Sequence, residues 1–162
     1  MSLDRGSKPK FDAGGYRFGI VAARFNEELV NALLDDVLAT IFCAGVSAEN
    51  IKVVRVPGSG ELPHMANLMA SSGDFDAVIA LGVVIAGETP HHMIIGNSTA
   101  VALQSVSLSS QVPIVNGIVV AETQKQAEDR TIGSIKRGVE FAEVALEMAW
   151  LTDSFLAEYD ED

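Results

Sequence analysis

The chain has 162 residues, 48% of them hydrophobic, and 11 basic against 22 acidic residues give it a formal charge of -11. That length supports one sizeable core and a single domain, while the acidic balance excludes a surface built for a phosphate backbone or an anionic membrane. The lone cysteine, Cys43, excludes a disulfide framework or thiolate metal cluster within the chain.

No run approaches the ~20 apolar residues of a membrane span. Residues 1–11 lack the apolar core of a secretory signal, so a cytoplasmic protein is expected. Residues 1–15 read as an N-terminal arm or tag remnant, 16–157 as the folded domain, and 158–162 as a frayed acidic tail.

In chain order, the first strand is expected over residues 17–22. A helix follows, because Leu29, Val30, Leu33, Leu34, Val37, Leu38, Ile41 and Phe42 recur at helical spacing, with Asn26 as its cap and Gly45 at its end. Cys43 falls inside this apolar pattern and is expected to be an inert core thiol. A second strand spans residues 51–56, a short helix 62–71 and a third strand 77–85. The next helix runs over 90–110, with Thr89 as cap and Pro90 in the first turn. After a fourth strand over 113–120, Thr123-Gln124-Lys125-Gln126 has the form of a capping box and opens a helix ending near Arg130. Gly133 interrupts the pattern, and from Ile135 a long helix continues through Phe141, Val144, Ala145, Met148 and Leu151. Strands alternating with helices predict a parallel sheet covered on both faces. The expected fold is therefore a single-domain, flavodoxin-like three-layer α/β/α sandwich on a four-stranded parallel sheet.

Ligands of such sheets bind beyond the carboxyl ends of the strands, where four loops carry the chain's least ordinary residues. Gly87, Glu88 and Thr89 precede a proline-started helix turn whose free amides and dipole suit an anion such as phosphate. His91 and His92 follow, and imidazole is the side chain best able to move protons near neutral pH. Neighbouring helical residues point apart, so only one of the two faces a given site. The remaining histidine, His64, completes no metal-ligand spacing, and no metal site is expected. Gly58 and Gly60 permit close backbone approach to a ligand, and Glu61 is either a hydrogen-bond acceptor for hydroxyls or a helix-start carboxylate. Phe25 can stack on a planar ring or pack at an interface. Arg130 and Arg137 are cations within possible reach of a phosphate.

Taken together, Arg24-Phe25-Asn26, the run from Val56 to Pro63 (VPGSGELP), the run from Leu81 to His91 (LGVVIAGETPH) and Gln126-Ala127-Glu128-Asp129-Arg130 resemble the lumazine synthase family in order and spacing. The resemblance covers roughly residues 17–151. It implies an enzyme of riboflavin biosynthesis that condenses 5-amino-6-(D-ribitylamino)uracil with 3,4-dihydroxy-2-butanone 4-phosphate. By that resemblance Phe25 stacks on the pyrimidinedione, and Asn26 with the backbone of Val83, Val84 and Ile85 holds its polar edge. Ser59, Gly60 and Glu61 border the ribityl chain. Gly87, Glu88, Thr89 and Arg130 cradle the phosphate, and His91 transfers protons.

The resemblance further implies a homo-oligomer of at least five subunits, with Asn116, Arg130 and Arg137 supplied across an interface, a riboflavin synthase partner, and no cofactor. Asn116 stands where the family usually has an aromatic residue, Gly60 where a bulky one is common, and Ala86 where arginine is common. Two alternatives share this fold: an archaeal-type riboflavin synthase and a catalytically silent lumazine- or flavin-binding relative. A flavodoxin-like electron carrier fits less well, because its first phosphate loop should be rich in Ser and Thr.

Overall fold

The computed structural model describes residues 8–158, so the first seven residues of the arm, Met1-Ser2-Leu3 among them, and nearly all of the acidic tail lie outside the described residues. Four strands, β1 (Phe18–Ala23), β2 (Ile51–Val56), β3 (Ala77–Ile85) and β4 (Ile114–Ala121), form one parallel sheet in the order β2-β1-β3-β4. Five α-helices accompany them: α1 (Glu27–Cys43), α2 (Leu62–Ser71), α3 (His91–Ser110), α4 (Gln124–Arg130) and α5 (Arg137–Ala157). The expected three-layer flavodoxin-like sandwich is the fold observed.

Alternation along the strands divides the core in two. Phe18, Ile20 and Ala22 of β1 and Ile79, Leu81 and Val83 of β3 pack with α1, α4 and α5. Val21 and Ala23 of β1 and Val78 and Ala80 of β3 pack with α2 and α3 on the opposite face. Both inner strands are covered on both faces and therefore read as continuous apolar runs.

On the first face, α1 and α5 approach nearly backbone to backbone at Gly138, where an added Cβ would lie 2.6 Å from the Leu33 carbonyl oxygen. The segment before β1 is tied to α5 as well: Phe11 stacks on Trp150 at 5.2 Å, and the Tyr16 hydroxyl donates to Asp153 at 3.0 Å. Burial first, and then the Asp153 carboxylate, push the Tyr16 phenol up to about 12.

Several local expectations are corrected. Cys43 is exposed rather than a core thiol, because it lies two residues beyond buried Ile41 and so turns off the inward stripe of α1. Asn26 occupies the N-cap position of α1 with φ 54°, a left-handed conformation that asparagine tolerates, but its side chain makes no cap bond. Thr89 does not cap α3: the cap position is Pro90, whose carbonyl accepts from Met93 and Ile94, and the helix proper begins at His91. The last helix begins at Arg137 rather than Ile135, because Lys136 adopts φ 53° and breaks the helical run. By contrast, Gly45 takes φ 93° just past the end of α1. Thr123 caps α4 by accepting from the Gln126 amide, but the expected capping box is not closed, because the Gln126 side chain accepts from the Glu122 amide rather than from that of Thr123.

Candidate active site

Strand order sets the position of the site. From β1 the chain passes outward to β2 and then back across to β3, so the loops after β1 and β3 diverge and leave a crevice at their carboxyl ends. β3 also outruns its neighbour. Its pairing with β1 stops at Ala22↔Leu81, whereas its pairing with β4 continues to Ile85↔Ala121. Val83, Val84 and Ile85 therefore present backbone polar groups toward the crevice on the side where β1 has ended.

The cleft at this point has a volume of about 420 Å³ and is lined by Phe25, Asn26, Ser59, Gly60, Glu61, the Val83-Val84-Ile85 end of β3, and His91. Those nine residues are drawn from four segments of sequence. Gly58 and Ile95 complete the lining. Ile95 was not singled out in the sequence, although it follows His91 by four residues and so shares its helix face.

Each wall has an identifiable support. The Asn26 amide, freed from capping, donates to the Val83 carbonyl at 2.8 Å and bridges the crevice between the β1 loop and β3. Arg24 and Phe25 donate their amides to Val56 and Pro57, which pins the same loop to the end of β2. The Phe25 ring is left 73% exposed at the mouth, an aromatic face open to a planar partner. Ser59 is buried against Gly82, where a Cβ would come within 2.4 Å of its hydroxyl oxygen, so a glycine on β3 is what lets the β2 loop seat so closely. Glu61 Oε2 accepts from the Gly58 amide at 2.8 Å, which fixes the carboxylate at the cleft wall.

The two histidines separate as helix geometry requires. His91 is exposed and lines the cleft, while His92 is buried, with Nε2 3.3 Å from Glu122 Oε1. Gly87, Glu88 and Thr89 lie exposed on the loop leading into α3 and do not line the cleft. Asn116, Arg130 and Arg137 lie in another depression, of about 340 Å³, with Ile118, Val119, Val120, Ile135 and Phe141. There the Arg130 guanidinium donates to the Gln126 carbonyl at 3.0 Å, and Arg137 donates to Glu140 at 2.6 Å while stacking over Phe141 at 5.3 Å. The Asn116 side-chain oxygen accepts from the Ile118 amide at 3.1 Å. The sequence-derived site is thus divided between two surfaces of one chain.

Among the described residues, no three His, Cys, Asp or Glu side chains gather as a metal-ligand group, and no helix is long and apolar enough to cross a membrane.

Residues 15–153 match the family described as 6,7-dimethyl-8-ribityllumazine synthase. Proteins of that name are similar over nearly the whole chain. The one from Polaromonas sp. (strain JS666) is 42% identical over 153 residues, covering 94% of this chain and 97% of its own length. The one from Cupriavidus necator is 41% identical over 164 residues, covering 99% and 97%. The one from Thermococcus kodakarensis is 41% identical over 140 residues, covering 86% and 88%.

Proposed function

Because this chain belongs to the 6,7-dimethyl-8-ribityllumazine synthase family, we propose that its cleft condenses 5-amino-6-(D-ribitylamino)uracil with 3,4-dihydroxy-2-butanone 4-phosphate. The observation that carries the reading is the combination of an exposed aromatic face, an overhanging strand edge and a histidine in one cleft. Phe25 stacks on the pyrimidinedione. The backbone of Val83, Val84 and Ile85, with the Asn26 amide, pairs with its carbonyl and N–H edge. Ser59 and Glu61 meet the ribityl hydroxyls, and Gly60 leaves that wall open. Gly87, Glu88 and Thr89, with the free amides of the first α3 turn, receive the sugar phosphate.

Chemically, the ring amine attacks the ketone and expels water to form an imine, phosphate leaves, and the ribitylamino nitrogen closes the second ring with loss of water. Carbon skeletons are joined and protons moved, with no net redox change, so holding one adduct in place and transferring protons suffices and no cofactor is invoked. His91, at the cleft wall on the first turn of α3, supplies the proton transfers. Arginine stabilises the departing phosphate dianion.

The separation of Asn116, Arg130 and Arg137 from the cleft supports a homo-oligomer in which one subunit's second depression faces the next subunit's cleft, and the family resemblance implies at least five subunits. Sedimentation equilibrium tests this: a mass of five or more times the 17.2 kDa chain is expected, and a monomer that turns over would overturn it. Such an enzyme would act in the cytoplasm and can associate with a riboflavin synthase, which consumes its product.

The decisive experiment follows lumazine absorbance and phosphate release with both substrates against the uncatalysed background. Acceleration with matched yields is expected, whereas tight binding without acceleration would leave a silent binding protein. Arg130→Ala is expected to raise KM for the phosphorylated sugar and leave the pyrimidine KM unchanged, because it deletes a charge-assisted contact of about 1.5–3 kcal/mol. An effect confined to the pyrimidine would place Arg130 elsewhere.

A further inference from the structure

We infer that His92 and Glu122 form a positioning clasp that holds the first turn of α3, and with it His91, in register with α4 and Arg130; the inference rests on the reaction proposed above. His92 is the one buried residue of that turn, since His91, Met93 and Ile94 are all exposed. The turn has little else to hold it. Pro90 provides no side-chain cap, and Gly87, Glu88, Thr89 and Pro90 are exposed.

The imidazole is placed for a bond rather than for packing alone. Its Nε2 lies 3.3 Å from Glu122 Oε1, while its Nδ1 is buried with no hydrogen-bond partner among the described residues. A ring nitrogen with no acceptor in reach is least costly without a proton, so the geometry assigns the proton to Nε2, which donates to the carboxylate. An apolar ring would fill the same space without burying an orphan nitrogen. What histidine adds is the directed bond to Glu122.

Glu122 is itself held from α4. Its amide donates to Gln126 Oε1 at 2.9 Å, and the Gln126 carbonyl accepts from Arg130 Nη1 at 3.0 Å. A continuous series of polar contacts therefore links the start of α3 to Arg130. With His92 held inward, His91, about 100° away around the helix, is held toward the cleft. The Glu122 side chain is 67% exposed, so the bond contributes little to overall stability. Its effect is on placement.

The test compares His92→Phe, which keeps the bulk and loses the bond, with His92→Gln, whose amide can still donate to Glu122, and with Glu122→Ala, whose exposed site tolerates truncation. Steady-state kinetics and amide hydrogen exchange at residues 91–94 are read in the full-length protein. His92→Phe and Glu122→Ala are each expected to lower kcat about tenfold, with the pyrimidine KM within about twofold, since a small misplacement of a reacting group mainly costs turnover. Both should speed exchange in the first α3 turn. His92→Gln should retain most of kcat, and the double variant His92→Phe/Glu122→Ala should be no worse than either single one.

Wild-type kcat and exchange in both single variants would overturn the clasp, as would multiplicative losses in the double variant. Exchange also separates the two readings. A wild-type protein that forms no lumazine, yet shows faster first-turn exchange in both variants, would remove the proposed function and leave the clasp standing.

Discussion

Replacement of His91 by alanine is expected to lower kcat by about 100-fold or more, with a much smaller change in either KM. Imine formation, phosphate loss and ring closure each need a proton delivered or removed at a neighbouring atom of one adduct. His91 is the histidine that lines the cleft, whereas His92 is committed to Glu122. Binding should survive the change, because Phe25, Asn26 and the overhanging end of β3 are supported by other contacts, among them the amide bonds of Arg24 and Phe25 to the end of β2. The residual rate would reflect positioning and the uncatalysed reaction. Equal losses in kcat and kcat/KM with KM unchanged would mark an interaction made in the transition state. Turnover equal to wild type would remove His91 from the mechanism.

The largest effect on stability is expected from Leu33→Ala, at about 2–5 kcal/mol. Leu33 is completely buried between α1 and the sheet, in the same core as Phe18, Ile79 and Phe141. The site cannot readily collapse around the lost atoms, because the Leu33 carbonyl already abuts Gly138 and leaves α5 no room to move inward. Against a total of about 5–15 kcal/mol for a typical domain, this loss would show as a lower urea midpoint with an unchanged slope. A shift worth less than about 1 kcal/mol would mean that the α1–α5 interface is softer than its close approach implies. Arg137 at the start of α5 makes the result relevant to function, since a displaced α5 carries that arginine with it.

Much of the site was legible because it follows from topology. Alternating strands and helices lead to a parallel sheet, a parallel sheet places its loops at the carboxyl ends, and those loops carry Phe25, Ser59, Glu61 and His91. Thr123 was readable as a cap because the contact is local, three residues from its donor. Asn26 holds the N-cap position that local spacing indicates, but not the side-chain cap bond, since the Val83 carbonyl that captures its amide lies 57 residues away. Thr89 differs in a similar way: spacing places it one residue before a proline, but Pro90 itself, with ψ 18°, takes the cap position and the helix opens one residue later. The apolar surroundings of Cys43 point to the core, although helix phase alone carries it away from the sheet.

The fold class, the four strands, the family and the residue types around the cleft are legible in the chain alone, because periodicity, loop position and motif order are properties read in one dimension. Which of those residues meet depends on packing in three dimensions. The folded chain has β3 overhanging β1 to expose the backbone of Val83, Val84 and Ile85, and it brings Ile95 into the cleft. It set Asn116, Arg130 and Arg137 apart in their own depression, and it joined His92 to Glu122 across 30 residues. Register, side-chain direction and long-range hydrogen bonds depend on how separate elements pack, and no local pattern encodes them singly.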